Sequence, residues 1–384
     1  MKVALIHDWL TGMRGGEKVL ECLCELFPQS DIFTLLHIPG SVSPIIENRT
    51  IYTSFLQKFP LIKEHYRTYL PLFPLAIESF SIKSYDLVIS SSHCVAKGVI
   101  TPPSALHICY SHTPMRYVWE HYHTYFGKGK KGIATRTLMN VFAHYLRMWD
   151  VSSSDRVDYF VANSYNVANR IKKYYRRTAK VIHPPVDCSL FTLPDTCKEG
   201  DYYLIVSAFA PYKRIDIAIE AFGKLELPLV IIGGGQEEKQ IKSMAKNTIK
   251  YLGWQPSEAL KDYYRNCKAL IFPGVEDFGI VPLEVQACGK PVIAFAKGGV
   301  LETVNGIYPD VTQKQNTNPT GVFFTEQTTE SLMKAIGHFE NNKNIFDASS
   351  IRKHAESFDR KVFKTKFKRY IDDICCAKYP KDLA

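Results

Sequence analysis

Short apolar runs that stop at a glycine, serine, histidine or proline and give way to a helical pattern recur along the whole chain. This alternation constrains the fold more than any other feature. In the first half the runs are residues 2–6, 86–90, 106–110, 158–162 and 180–182, with a helical pattern over 17–26. In the second half they are 202–207, 229–233, 249–252, 269–272, 291–294 and 321–324, with helical patterns at 215–225, 236–245 and 257–265. Runs of this length, apolar throughout rather than alternating, are those of strands buried on both faces. Strand and helix in alternation imply parallel, doubly wound sheets, whose ligands gather at the carboxyl ends of the strands.

With 384 residues the chain is too long for one ordinary α/β domain and suits two. The expected division is an α/β Rossmann-like domain over 1–183, a linker over 184–200 opened by Pro184-Pro185, and a second Rossmann-like domain over 201–357. A basic helix from 358 to 384 is expected to return to the first domain. The 22 Tyr and 22 Phe exclude long disorder. No apolar run approaches the roughly 20 residues that span a bilayer, and residues 1–8 read as a strand rather than a signal peptide. A cytoplasmic protein is expected, at most peripheral at the inner face of the cell membrane. The ten cysteines are scattered without a zinc-type pairing and receive no function.

The net charge of +10 is concentrated in the first half, where residues 1–195 hold 22 Lys and Arg against 15 Asp and Glu, a net of +7. That suits an anionic partner: phospholipid, a polyanionic substrate or nucleic acid. Lys128, Lys130, Lys131, Arg136 and Arg147 lie among Phe126, Ile133, Leu138, Met139, Val141, Phe142, Leu146 and Trp149. Such a stretch fits either an anionic membrane surface or a solvated helix face. Nucleic acid is not expected as a partner, since no binding module is present.

Several strand ends carry residues suited to a site. After the run at 269–272 comes Phe272-Pro273-Gly274-Val275-Glu276-Asp277-Phe278-Gly279-Ile280-Val281-Pro282-Leu283-Glu284, with Glu276 in a loop and Glu284 in the helix that Pro282 helps to open. Backbone N–H groups at that helix start favour polar or anionic groups, and two carboxylates accept hydrogen bonds from sugar and ribose hydroxyls. Two surface glutamates would share this spacing by chance, but not the whole segment. The run at 202–207 leads into Ala208-Phe209-Ala210-Pro211-Tyr212-Lys213-Arg214, where a cation can neutralise a departing diphosphate. A solvated Lys-Arg pair is the plainer alternative. Gly15-Gly16 lies in a loop after the first strand, and the spacing there is not the G-x-G-x-x-G of a dinucleotide site. His112 and Arg116 follow the run at 106–110, His93 follows that at 86–90, and Gly233 and Trp254 follow two strands of the second half. Each of these is also compatible with ordinary turn or packing roles.

The segment from Pro273 to Pro291, followed by Lys297-Gly298-Gly299-Val300-Leu301-Glu302-Thr303-Val304, resembles the E-x7-E signature of the retaining glycosyltransferases of the GT-B fold, family 4, closest to their bacterial mannosyltransferase-like branch. The resemblance extends from Lys2 to about Phe358 and implies two Rossmann-like domains facing across a cleft. It implies that Glu276 contacts the donor sugar and Glu284 the ribose. The amides of Asp277, Phe278, Gly279 and Ile280 would meet sugar and phosphates, and Lys213 the diphosphate. His112 would line the sugar pocket, Gly15 and Gly16 would face the donor phosphates, and Gly233 and Trp254 would lie on the nucleotide side. Arg116 and His93 are acceptor-side candidates. An arginine that usually precedes the family lysine by five residues is replaced here by Ala208, and Arg214 is a partial substitute at best.

The implied reaction moves a hexosyl group from a nucleotide sugar, with GDP-mannose preferred and UDP-sugars open. The acceptor would be a saccharide or a polyprenyl-diphosphate-linked saccharide, with retention, in surface polysaccharide synthesis. No Asp-x-Asp pair occurs, so neither a metal nor another cofactor is expected. Two alternatives stand beside it: a sugar-nucleotide epimerase of the same architecture, and a sugar-nucleotide-binding protein without catalysis, which Ala208 favours.

Overall fold

Both faces of the apolar runs are covered, and that is what makes them parallel strands. In β1 (Val3–His7) all five residues are buried. Ala4 and Ile6 join Phe73 and Val88 on one face, while Val3 and Leu5 join Val19, Leu20 and Ile108 on the other. In a computed structural model, whose described residues are 1–120, 133–194, 200–244, 246–309 and 318–378, the chain divides into two units. One comprises Met1–Pro185 and Phe363–Ala384; the other is Val186–Val362.

The first unit contains β1, β2 (Asp31–Thr34), β3 (Ile51–Thr53), β4 (Leu87–Ser92), β5 (Leu106–Ser111), β6 (Tyr159–Ala162) and β7 (Ala179–Val181). They form one parallel sheet in the order β3-β2-β1-β4-β5-β6-β7. Phe363, Phe367, Ile371 and Ile374 recur at helical spacing along Arg360–Lys378 and complete the core over Leu5, Leu20, Ile89 and Tyr110. The second unit contains β8 (Tyr202–Ala208), β9 (Leu229–Gly234), β10 (Ile249–Gly253), β11 (Cys267–Phe272), β12 (Val292–Phe295), β13 (Gly306–Ile307) and β14 (Gly321–Phe324). Its parallel order is β10-β9-β8-β11-β12-β14-β13.

The first sheet therefore reverses direction between β1 and β4, and the second between β8 and β11, with a further reversal at its edge where β14 lies between β12 and β13. At such a switch point the connections leave in opposite directions, and a crevice opens at the carboxyl ends of the two strands. Three strands, β2, β3 and β13, were not expected from the sequence. β2 begins on Asp31, two of the three β3 residues are exposed, and β13 has two residues, so none has the apolar run that marks a buried strand. Residues 186–194, within the stretch read as a linker, are built into the second unit. Val186 donates its N–H to Phe358 and accepts from Arg360, and Phe191 packs on Tyr264. Among the described residues no helix is long and apolar enough to cross a membrane.

Candidate active site

In the second unit the switch point carries an ion pair. β8 runs out through Ala208 into a short 3-10 turn, Pro211–Lys213, and β11 runs out through Phe272 into the loop bearing Glu276. Lys213 Nζ bonds Glu276 Oε1 across the gap, and Ser207, Phe272, Pro273 and Gly274 line the opening between them. The approach is possible because Gly274 has no side chain: a Cβ there would lie 2.8 Å from Lys213 Cα. From the other side the Gly298-Gly299 turn supports the loop. Gly299 donates its N–H to Glu276 O at 2.9 Å, and a Cβ on Gly299 would lie 2.3 Å from both Asp277 O and Phe278 Cα. Gly279, at φ +102°, turns the chain into helix Ile280–Ala287, so the amides that open this helix stand beside Glu276. Glu284 lies one turn further along, 4% exposed, and accepts a 2.9 Å hydrogen bond from the fully buried Tyr264 hydroxyl. Burial and the Glu284 charge push the Tyr264 phenol well above its ordinary range, so it remains a donor.

The first unit gathers a second set of groups at its own switch point. His7 ends β1, and its register partner in β4 is Ser91. His7 Nδ1 lies 3.1 Å from Ser91 Oγ, which lies 2.9 Å from His112 Nε2. His7 Nε2 faces Glu17 Oε1 at 3.7 Å. Gly16 opens helix Gly15–Leu26 directly beside them: a Cβ there would stand 3.4 Å from His7 Cε1 and 3.6 Å from His112 Nε2. Asp8, next to His7 and fully buried, accepts four backbone N–H groups, from His93 (2.7 Å), Cys94 (3.0 Å), Val95 (2.6 Å) and Ala96 (2.8 Å). Its Oδ2 also meets His93 Nδ1 at 3.0 Å.

Burial works against the Asp8 charge, yet His93, by charge and hydrogen bond, holds the carboxyl far below the usual carboxylate range. Burial likewise pulls His93 down, but Asp8 and then Glu17 raise it above its ordinary value. His112 is the opposite case: burial, then the neighbouring His93 and His7, push it down to about 3, so it is neutral. Asn163 fixes the backbone here by donating to His112 O at 2.9 Å, and Arg116 opens the short helix Arg116–Trp119 beyond it.

Residues 196–359, which carry Lys213, Glu276 and Glu284, match the glycosyl transferases group 1 family. This stretch belongs to that family. An uncharacterized glycosyltransferase of Methanocaldococcus jannaschii is 30% identical over 215 residues, 54% of this chain and 58% of that protein. An alpha-1,3/1,6-mannosyltransferase of Saccharomyces cerevisiae is 25% identical over 84% of this chain and 72% of its own length. The chain thus spans little more than half of the first relative and about three quarters of the second. Among solved structures, HepE of Anabaena in complex with UDP and glucose superposes with a TM-score of 0.68 at 15% identity, over 97% of this chain and 99% of that one. The fold is the two-domain GT-B type.

Within the group 1 stretch the remaining residues singled out from sequence have distinct surroundings. Arg214 adopts a left-handed conformation, φ +51°, and its guanidinium sits on the Asp216 carboxylate at 3.0–3.2 Å. Ala208 is exposed at the end of β8. Gly233 is demanded by packing: a Cβ would fall 1.8 Å from Ser207 O. Trp254, after Gly253 at φ +69°, is 77% exposed. Of the basic apolar stretch, Lys128, Lys130 and Lys131 lie outside the described residues, as does the side chain of Arg136, whereas Arg147 donates to Val118 O at 2.7 Å. The sequence singled out the loop from His7 to Glu17 and the Ser91-Ser92-His93 strand end as segments, but gave no separate role to His7, Asp8, Glu17 or Ser91, and it passed over Tyr264. The signal available for the first four was their place at or just beyond the carboxyl ends of β1 and β4; for Tyr264, buried in helix Ser257–Asn266, there was none.

Proposed function

We propose that this protein is a retaining hexosyltransferase that moves a mannosyl group from GDP-mannose to a saccharide or polyprenyl-diphosphate-linked saccharide in surface polysaccharide synthesis. The observation that carries this is the Lys213–Glu276 pair at the β8/β11 switch point. A cation and a carboxylate held within reach of one another offer the two contacts that a sugar diphosphate requires. Lys213 would neutralise charge that grows on the departing diphosphate, and Glu276 would accept hydrogen bonds from hydroxyls of the transferred sugar. The amides at the start of helix Ile280–Ala287 add donors for phosphate oxygens. Glu284, oriented by Tyr264, would receive the ribose. Gly15, Gly16 and His112 would meet the donor from the first unit, with His93 and Arg116 on the acceptor side.

The mannosyl choice is supported by the mannosyltransferase among the relatives, while the UDP in HepE keeps UDP-sugars in the comparison set. The exposed Val141, Tyr145 and Met148 on helix Ile133–Ser154 support a peripheral membrane contact near a lipid-linked acceptor. The test is release of nucleoside diphosphate by the full chain, from a panel of GDP- and UDP-sugars with candidate lipid-linked acceptors. GDP release from GDP-mannose, lost in Lys213→Ala and Glu276→Ala, is the expected result. Donor consumption without an acceptor would favour an epimerase, and wild-type turnover in either variant would overturn the assignment.

A further inference from the structure

Glu17, His7, Ser91 and His112 form one line of contacts, each link buried or half-buried, with the Ser91 hydroxyl in the middle. A serine hydroxyl has a single proton to donate, so it cannot donate to His7 and His112 at once. The direction in which it points decides which nitrogen of His112 carries hydrogen. Glu17 sets that direction. Burial alone would raise its carboxyl, but the contact with His7 and the Arg14 N–H, at 3.0 Å, keep it ionised. An anion 3.7 Å from His7 Nε2 favours hydrogen on that nitrogen. The singly protonated His7 then has a bare Nδ1, Ser91 donates to it, and Ser91 Oγ accepts from His112 Nε2–H. His112 Nδ1, which has no partner among the described residues, is left bare.

We infer that Glu17, His7 and Ser91 are positioning residues that hold His112 as the Nε2–H tautomer, so that it offers a bound sugar a hydrogen-bond acceptor and selects a hydroxyl there over a carboxylate. Because His112 is neutral, the line sets its tautomer rather than its charge. The charged and titratable groups around the line are Asp8, Arg14, Glu17, His93 and His112 itself.

The inference rests on the proposed transferase only for the identity of the ligand, so its first test needs no activity. In full-length protein labelled with 15N-histidine, long-range proton–nitrogen correlation spectra distinguish the tautomers, and loss of one signal in His112→Gln assigns His112 among the twelve histidines. At pH 8 the expected pattern is a protonated Nε2 and a bare Nδ1, which becomes a mixture in Ser91→Ala. Glu17→Gln, which keeps the side chain's shape, is expected to mix the tautomers from the other end of the line should Ser91→Ala fold poorly. Hydrogen on His112 Nδ1 at pH 8, or His112 nitrogen shifts unchanged in either folded variant, would overturn the inference. The second test is donor choice. Neutral hexosyl nucleotides should be preferred over uronosyl ones, and Ser91→Ala should narrow that preference by about tenfold. An unchanged preference beside a mixed tautomer would remove the selectivity claim, whereas an absence of transfer to any acceptor bears on the proposed function and leaves the spectra to decide the line.

Discussion

Replacing Asp8 by Asn removes one charge and almost no volume, and the structure gives its cost. Asp8 Oδ2 receives the His93 and Cys94 amides and Oδ1 receives those of Val95 and Ala96, all within 3.0 Å. An asparagine offers one oxygen and one NH2, so either flip turns a donor toward two backbone N–H groups. At least two charge-assisted hydrogen bonds are lost, each about 1.5–3 kcal/mol, for a total of about 3–6 kcal/mol. Against a typical stability of about 5–15 kcal/mol this is a large fraction. Urea unfolding followed by tryptophan fluorescence is the assay, since Trp9, Trp119 and Trp149 of the four tryptophans lie in the first unit, with Trp9 edge-on to His93 at 4.4 Å. A loss below about 1 kcal/mol would show that water or a backbone shift satisfies the 93–96 amides without the carboxylate, and would refute the reasoning. The same site fixes the pH dependence. Asp8 is lowered, so its contribution is complete above about pH 4 and is lost as pH falls through its folded value. His93 is raised, so its contribution is complete below about pH 6.5 and is lost as pH rises through its folded value. The wild-type unfolding midpoint should therefore decline from pH 6 to pH 9, and Asp8→Asn should flatten that decline.

Tyr264→Phe withdraws a donor from the buried Glu284 carboxylate and should cost about 1.5–3 kcal/mol in urea unfolding. It should also weaken donor binding more than turnover, as read from a KM against kcat comparison. Gly299→Ala puts a methyl 2.3 Å from the Glu276-bearing loop and should lower stability by about 1–3 kcal/mol and abolish transfer. Gly337→Ala, in helix Thr329–Asn341 with nothing within 4 Å of its Cβ position, should stabilise by about 0.5–1 kcal/mol in the same assay. Lys97→Met strands Asp150, to which Lys97 Nζ is paired at 2.9 Å with both side chains buried, and should cost about 3–5 kcal/mol.

The second unit was the more legible of the two, and the reason is sequence distance. Glu276, Gly279 and Glu284 sit within one strand–loop–helix passage, so their spacing is visible in a single stretch, and every strand predicted there formed. What the sequence did not show were the contacts supplied from elsewhere in the chain. Tyr264 reaches Glu284 from the preceding helix, and Lys213 reaches Glu276 across 63 residues only because Gly274 lets the loops touch. In the first unit nearly every contact is of this second kind. His7 meets Ser91, and Asp8 meets the amides of residues 93–96, at separations of 84 to 88 residues. No local pattern announces such a pairing; parallel register does, because it places the ends of β1 and β4 side by side.

That contrast bears on how the two halves should tolerate change. In the second unit Lys213 and Glu276 are each partly exposed at the ends of strands whose cores do not depend on them, so their replacement should remove chemistry and spare the fold. In the first unit the groups nearest the candidate sugar pocket are also the hydrogen-bonding partners of the chain that shapes it. Asp8 has no lone pair to spare for a ligand, and its neighbour His7 contacts Ser91, which in turn contacts His112. Activity lost on mutating Glu276 would therefore identify a contact with substrate, whereas activity lost on mutating Asp8 would not. For that residue the unfolding midpoint must be read beside the rate, and only a variant that keeps the midpoint while losing turnover would assign it a direct chemical part.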